Sequence, residues 1–455
     1  MSTKVTLTRE IAYDAFSKIV EKGKNPEQVL EEYFRNHKGD LKRLDRAFVK
    51  ELLYGSLRWF SKIYWIVQNT AKKNLSDSSA EIRAALVLGT YQIFYMDGVP
   101  DRAAVNESVE YIRKKGQAKA VTFVNGILRA IARRAEYFPK PDKDTQPAQY
   151  LSLQYAHPLW IVQRWLPRFG FEKTKELLAS NNHPPPYAIR MNVRKITEDT
   201  VQEFRSQILR DEKNHSEKKA LRSCLHLRAA PLLDEGSLFA QGFYTIQDEA
   251  SQLIANLVVP NGGHIVDACA GKGGKTGHLF ELSKGEAELT GIDLDPRQLA
   301  KAQETMKRLG HIGIEWVNKD FLEFQPDKPV DKILLDAPCS GLGVLRRHPE
   351  GKWQKHLDLV PKMSELQRRL LCHALNIVKP GGELIYSVCS FELEETFDHL
   401  KWLEQNASVK FDLISPVSRV PDYYKRFVTR ENVLMIYSGN KDAMDGFSAF
   451  ILRKI

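Results

Sequence analysis

Two cysteines toward the C-terminal end of the chain stand where a sulfur nucleophile could work. Cys339 lies in Asp336-Ala337-Pro338-Cys339-Ser340-Gly341, directly after the apolar run 332–335. Cys389 lies in Cys389-Ser390, directly after the apolar run 383–388. Both runs have the length and composition of buried strands. In a parallel sheet, functional groups gather where strands end and the following loops begin. If these strands are neighbours, both thiols face one cleft. A lone cysteine is most often a small buried hydrophobe, and Cys224 and Cys372 read that way. Two on matching strand ends suggest chemistry. A thiolate is the reactive form, and it can add to an electron-poor ring carbon such as C6 of a cytosine. The adduct makes C5 enamine-like and able to attack a sulfonium methyl group. Loss of the C5 proton and elimination of the thiolate then release the product, so one difficult step becomes several easier ones.

A methyl donor needs a cradle. The apolar run 264–268 leads into Cys269-Ala270-Gly271-Lys272-Gly273-Gly274-Lys275-Thr276. A glycine-rich turn after a first strand lets backbone approach a ligand closely. A dinucleotide fingerprint starting at Gly271 requires glycine or alanine at 276, where Thr276 stands. A phosphate loop ending in Gly274-Lys275-Thr276 requires glycine at 269, where Cys269 stands. Each fails by one residue, and a degenerate phosphate loop stays open. The next strand ends in Gly291-Ile292-Asp293, where Asp293 is placed to accept hydrogen bonds from ribose hydroxyls. The third is followed by Asn318-Lys319-Asp320, whose carboxylate could meet an adenine edge. A glycine turn, a ribose acid and a further acid in that order suggest S-adenosylmethionine. Cys269 sits inside the turn and is expected to pack there.

The elements that must position these residues can be read from periodicity. From about Gln247 strands and helices alternate: strand-like runs at 264–268, 289–292, 314–317, 332–335 and 383–388, with helical segments such as 297–309 and 364–378 between them. This predicts a doubly wound, mostly parallel α/β sheet. Late strands at 433–437 and 448–452 are expected to close it as an antiparallel pair. Residues 1–140 read as an all-α bundle, with helical spacing from Ile11 to Val20 and over 45–59, 80–95 and 104–131. Breakers at Gly23, Pro26, Gly39, Gly98 and Pro100 separate these stretches. A proline-rich linker at 139–147 precedes a small α+β module over 150–246. It contains a His183-Pro184-Pro185-Pro186 break, a strand at 187–192, a helix at 200–209 and a charged exposed loop at 211–219. The expected organisation is therefore multidomain: 1–140 helical, 150–246 α+β, and 247–455 Rossmann-like.

The 455 residues carry a formal net charge of +10. Residues 1–140 hold 25 lysines and arginines against 16 acidic residues, which accounts for nine of those charges. Such concentration favours a polyanionic partner, nucleic acid above all. No apolar run approaches the roughly 18 residues of a membrane span, and the polar start does not read as a signal peptide. Five cysteines in a chain of this length do not make a disulfide framework. A reduced, cytoplasmic setting is expected, with no membrane partner, no metal site and a monomeric chain.

At these residues the sequence resembles the Sun-type family of RNA cytosine-C5 methyltransferases. The resemblance spans nearly the whole chain. It is carried by the cofactor turn, by 336–341, by Arg346-Arg347-His348-Pro349, and by Tyr386-Ser387-Val388-Cys389-Ser390 with Glu394-Glu395. The helical region looks NusB-like, through Asp45-Arg46-Ala47-Phe48, Gly89-Thr90-Tyr91-Gln92 and residues 123–129. The resemblance implies that Cys389 is the nucleophile and that Cys339 assists product release. It also implies that Asp336 contacts the base. Cys269, Ala270, Gly271, Lys272, Gly273, Gly274, Lys275, Asp293, Asp320 and Asp336 would line the S-adenosylmethionine site. The substrate would be small-subunit (16S) ribosomal RNA. The chain departs from the family at Gly271-Lys272, where alanine-proline is usual, at Val388, where threonine is usual, and at Thr396, where asparagine is usual. None of these removes a reacting group. Two other readings compete: an RNA-binding protein whose helical region does the work, and a thiol enzyme of another kind.

Overall fold

A computed structural model describes residues 5–133, 140–197, 201–208, 215–216, 221, 223–227, 230–231, 233, 236–439 and 444–455. The chain forms two compact units. One is Met1–His183 with Leu345–Leu357, the other Pro184–Val344 with Asp358–Ile455. No helix among the described residues is long and apolar enough to cross a membrane.

The first unit is helical. Its chain opens with Leu7–Lys22, which stops at Gly23 in the left-handed region, and Pro26–Asn36, which the Asn25 side chain caps at Gln28 N. Arg43–Arg58, Phe60–Ala71, Ala80–Tyr95, Asp101–Lys114 and Val121–Arg133 follow. Their apolar faces meet in one core that includes Phe16, Leu53, Leu86, Tyr111 and Leu128. Gly55 is required there, because a Cβ would fall 2.0 Å from the Tyr91 hydroxyl oxygen. The stretch 104–131, expected as one helix, is broken: Gly116 at φ +73° ends the first half, and a turn of 3-10 helix at Ala118–Ala120 precedes the second. Apolar spacing continues on both sides, which hides the break from the sequence.

Residues Leu345–Leu357 belong to this helical unit although they follow the Cys339 loop in sequence. Lys352 anchors them. Its buried ammonium donates to Arg58 O, Ala156 O and Asn182 Oδ1 at 3.1, 3.3 and 2.7 Å. Burial, with the Arg58 guanidinium nearby, drives its pKa well below the usual lysine range. Trp353 Nε1 donates to Leu57 O at 2.7 Å.

The second unit holds two sheets. The smaller is antiparallel: β1 (Tyr187–Met191), β2 (His215–Ser216), β3 (Cys224–Leu227) and β4 (Tyr244–Ile246), in the order β2-β3-β1-β4. The helix Val201–Ile208 accompanies it. Of the charged loop expected at 211–219, only 215–216 are described, and they form β2; the rest lies outside the described residues, as does 139 of the linker.

The larger sheet comprises β5 (His264–Asp267), β6 (Glu288–Asp293), β7 (Glu315–Asn318), β8 (Val330–Asp336), β9 (Val378–Val388), β10 (Phe411–Ile414), β11 (Leu434–Ile436) and β12 (Phe447–Lys454). The order is β10-β12-β9-β8-β5-β6-β7, with β11 paired to β12. The pairs β6–β7, β5–β6, β5–β8 and β8–β9 are parallel, and β12 runs antiparallel to β9. The chain fills one side of β5 with β6 and β7, then crosses to β8 and β9 on the other. That reversal opens a crevice beyond the carboxyl ends of β5 and β8, where the chemistry-bearing residues lie.

Candidate active site

Strands β8 and β9 are parallel neighbours, with Asp336 opposite Ser387. Cys339 and Cys389 follow that matched pair by a few residues, and their Sγ atoms are 3.1 Å apart. Two loops hold them there. Gly343 N donates to Cys389 O at 3.1 Å, tying the loop after β8 to the end of β9. Beneath them the fully buried Glu395 accepts from Ser340 N at 2.7 Å, Ser340 Oγ at 2.5 Å and Gln367 Nε2 at 3.1 Å. Gln367 Nε2 also donates to Pro338 O at 2.7 Å, and Ser340 Oγ lies 3.2 Å from Ser390 Oγ. A buried carboxylate so well supplied with donors fixes both cysteine loops in one geometry. The hydrogen bond to Cys389, burial and the nearby Glu395 push the Cys339 thiol well above the usual range, so Cys339 holds its proton at neutral pH.

One carboxylate links three strand ends. Asp336 Oδ1 accepts from Ser387 Oγ at 2.7 Å, and Asp336 Oδ2 accepts from Lys275 Nζ at 2.5 Å. Burial works against the Lys275 charge, but Asp336 outweighs it and holds the ammonium above the usual lysine range. Lys275 belongs to the helix Gly274–Leu282 that leaves the glycine turn. Arg190, on β1 of the smaller sheet, supports the same turn. Its buried guanidinium donates to Gly274 O at 2.7 Å and pairs with Glu281 at 3.0 Å.

The turn itself is shaped by glycine where glycine is needed. Gly273 stands at φ +75°, and a Cβ there would come within 3.0 Å of Ala302 Cβ and 3.1 Å of the Trp316 ring. Gly271 stands at φ +54° with nothing near its absent Cβ, and Lys272 is exposed. Asp293 accepts from Gly271 N at 2.8 Å and Asp295 N at 2.9 Å, one through each oxygen, which leaves a lone pair on each. Asp320 accepts from Leu322 N at 2.9 Å and is half-buried. The other two departures are buried: Val388 ends β9, and Thr396 donates to Glu392 O.

Electrostatics decides what this turn can hold. Burial raises the Cys269 thiol above the usual range, and Asp267, Asp336, Asp293 and Asp320 around it raise it further. Burial also pushes Asp267 up to about 6, against a hydrogen bond from Thr276 Oγ1 at 2.6 Å. Its other oxygen, Oδ1, is buried without a hydrogen-bond partner. Four carboxylates around the turn repel phosphate groups, and Lys275 is already bound to Asp336. A degenerate phosphate loop does not fit this field. A ligand with a sulfonium and an ammonium group does.

The structure therefore brings together Cys339, Cys389 and Asp336, joins Asp336 to Lys275, and places Asp293 and Asp320 around Cys269. Sequence reasoning missed Asp267, Arg190 and Gln367, and gave Ser340 and Glu395 no role although both stand in the motifs that carry the resemblance. Asp267 carried a signal, an acid closing an otherwise apolar strand. Glu395 stood in a motif, but nothing in the sequence separated its part from that of its neighbour Glu394.

A Rossmann-like methyltransferase is the class this strand order and carboxylate-lined turn define. Residues 254–451 match the family model described as 16S rRNA methyltransferase RsmB/F, residues 6–133 match the NusB family, and residues 157–231 match the ferredoxin-like domain of RsmF/B-like methyltransferases. The chain is 30% identical over 459 residues to the probable ribosomal RNA small subunit methyltransferase B of Bacillus subtilis (strain 168), covering 99% of both chains. It is 29% identical over 399 residues to ribosomal RNA small subunit methyltransferase B of Salmonella paratyphi B, covering 86% of this chain and 89% of that one. The crystal structure of PH0851 has the same fold, with a TM-score of 0.82 at 24% identity over 99% of this chain and 100% of that one. The chain belongs to the 16S rRNA methyltransferase RsmB/F family, with a NusB-like helical domain, a ferredoxin-like module and a methyltransferase domain. Its cofactor is S-adenosylmethionine.

Proposed function

We propose that this protein methylates C5 of a cytosine in small-subunit (16S) ribosomal RNA through a covalent adduct between Cys389 and C6 of the base. The observation that carries the reading is the 3.1 Å approach of Cys339 and Cys389 at the ends of adjacent strands, beside the glycine turn.

The Cys389 thiolate adds to C6, and the C5=C6 electron pair moves toward C5. The 269–275 turn with Asp293 and Asp320 would hold S-adenosylmethionine, whose sulfonium methyl would pass to C5 as the S–CH3 electron pair stays on sulfur and S-adenosylhomocysteine leaves. Asp336, held by Lys275 and Ser387, orients the base and stabilises the attacked ring. The C5 proton then leaves to water, its bonding electrons re-form C5=C6, and the C6–S pair returns to Cys389 Sγ. The Cys339 thiol, with its raised pKa, donates a hydrogen bond to that sulfur and assists its departure. The target base must be unstacked to reach the crevice, so it comes from a loop or is flipped out.

Residues 1–140, with most of the net charge, supply RNA affinity. The protein acts as a monomer in the cytoplasm. A chain kept only for RNA binding has no use for two thiols bracketed by a buried glutamate, which favours catalysis over a pure binding module. The test is to incubate purified protein with methyl-labelled S-adenosylmethionine and unmodified 16S transcript, then digest to nucleosides. Label in 5-methylcytidine is the expected result, and label in any other nucleoside overturns the reading.

A further inference from the structure

The helices Asp101–Lys114 and Val121–Arg133 of the first unit border a cleft of about 450 Å³. Arg129 and Arg133 are one turn apart on the second helix and so share a face. Arg102 enters from the first helix, with Asn106 one turn further along the same face. All three arginines are exposed, and among the described residues no carboxylate pairs with any of them. Arg133 Nε donates to Arg129 O at 3.2 Å, which leaves its terminal nitrogens available.

Several other basic side chains of the same unit are paired. Arg9 meets Glu107, Lys18 meets Glu32, Arg83 meets Glu21, Lys114 meets Glu10 and Lys115 meets Asp14. The cleft groups three cations that no carboxylate among the described residues neutralises, and like charges at this spacing repel. Its one carboxylate, Asp101, is the first residue of its helix, where the helix dipole favours it. Val105 and Ala132 give the cleft an apolar floor, with Val105 buried. Forked guanidiniums match phosphate oxygens two at a time, and an apolar floor accepts a sugar or a base edge.

We propose that this cleft binds the phosphodiester backbone of the RNA substrate, with Arg102, Arg129 and Arg133 as the phosphate ligands. The inference rests on the reading of RNA as substrate and adds where the helical domain grips it. The cleft is open and its cations are solvent-facing, which suits a strand passing across it.

The test compares three full-length proteins: the wild type, Arg102→Gln/Arg129→Gln/Arg133→Gln, and the charge-matched Lys18→Gln/Lys114→Gln/Lys115→Gln. Binding to a 16S rRNA transcript is titrated over a salt series, and S-adenosylmethionine binding is measured calorimetrically as the check on folding. The arginine variant should bind RNA at least about tenfold more weakly. Its plot of log affinity against log salt should be shallower by about 2, at roughly 0.7 per lost phosphate contact on a single strand. The lysine variant should change by less than about twofold, since its charges are already paired. Should the arginine triple not bind cofactor, Arg129→Glu alone, which leaves the other two arginines in place, should still weaken RNA binding several-fold. Arginine variants that bind RNA like the wild type, or lose no more than the lysine variant, overturn the cleft. A wild type that neither binds nor methylates any RNA overturns the substrate reading, a distinguishable failure.

Discussion

The Sγ atoms of Cys339 and Cys389 are 3.1 Å apart although fifty residues separate them in the chain. Parallel pairing of β8 with β9 brings their loops together, and Glu395 locks the loops to each other through Ser340 and Gln367. The contact, burial and the nearby Glu395 hold the Cys339 thiol protonated.

A protonated Cys339 3.1 Å from Cys389 predicts a stalled intermediate. Cys339→Ala removes the donor to the departing sulfur and leaves the attacking one in place. With unmodified RNA and cofactor it should accumulate a covalent protein–RNA species, seen as a slow band on a denaturing gel. Normal turnover, or inactivity with no adduct, would show that Cys339 has another role.

Glu395 predicts a coupling of stability to activity. Replacing it with alanine leaves Ser340 N without its acceptor in the interior and takes one of the two acceptors from Gln367 Nε2. The cost should be about 3 kcal/mol, the scale for breaking a buried charged network. A lowered urea midpoint together with a fall in kcat is expected, while cofactor affinity stays within about twofold. An unchanged midpoint would mean the bracket does not hold the loops.

Asp293 retains a lone pair on each oxygen after binding the turn. Charged hydrogen bonds contribute roughly 1.5–3 kcal/mol each before desolvation. At about 1.4 kcal/mol per decade, Asp293→Ala should weaken S-adenosylmethionine binding at least about tenfold. Calorimetry giving the wild-type Kd would remove Asp293 from the ribose contact.

Asp267 predicts a pH dependence with a definite sign. Its folded pKa is raised from 3.8 to about 6 by burial, so folding favours the neutral acid. The stability it contributes is complete below about pH 4 and is lost as pH rises through about 6, up to about 3 kcal/mol in all. Asp267→Asn should therefore raise the thermal midpoint of the cofactor-free protein at pH 7 but not at pH 4. A cationic ligand in the same field favours the ionised form, so wild-type cofactor affinity should increase between pH 5 and pH 7 with release of a proton. A variant whose melting gain is the same at both pH values would contradict this.

Much of the methyltransferase sheet was legible because β5, β6, β8 and β9 are short apolar runs set between amphipathic helices. The edge strand β10 was not, since Phe411, Leu413 and Ile414 are only half-buried around an exposed Asp412 and give little alternation. The helical segment Leu159–Asn181 was obscured by Pro167 and Gly170, and Gly170 does kink it, at φ +71°. At the site, spacing after the strands gave the cysteines and Asp293, and the family resemblance gave Asp336. Arg190 and the role of Glu395 were out of reach because they depend on partners 84 and 55 residues away, Gly274 and Ser340. The docking of 345–357 was hidden for the same reason: Lys352 finds Arg58 and Ala156 only in three dimensions.

The central claim, attack by Cys389, is tested most directly with RNA in which the target cytosine is replaced by 5-fluorocytosine. Fluorine at C5 cannot leave as a proton, so the enzyme is caught after methyl transfer. Wild-type protein with S-adenosylmethionine should form an adduct that survives denaturing electrophoresis, and mass spectrometry of its digest should place the nucleotide on Cys389. Cys389→Ser should bind cofactor with wild-type affinity and form no adduct. A trapped adduct with Cys389→Ser, or a nucleotide mapped to Cys339 in the wild type, would contradict the account.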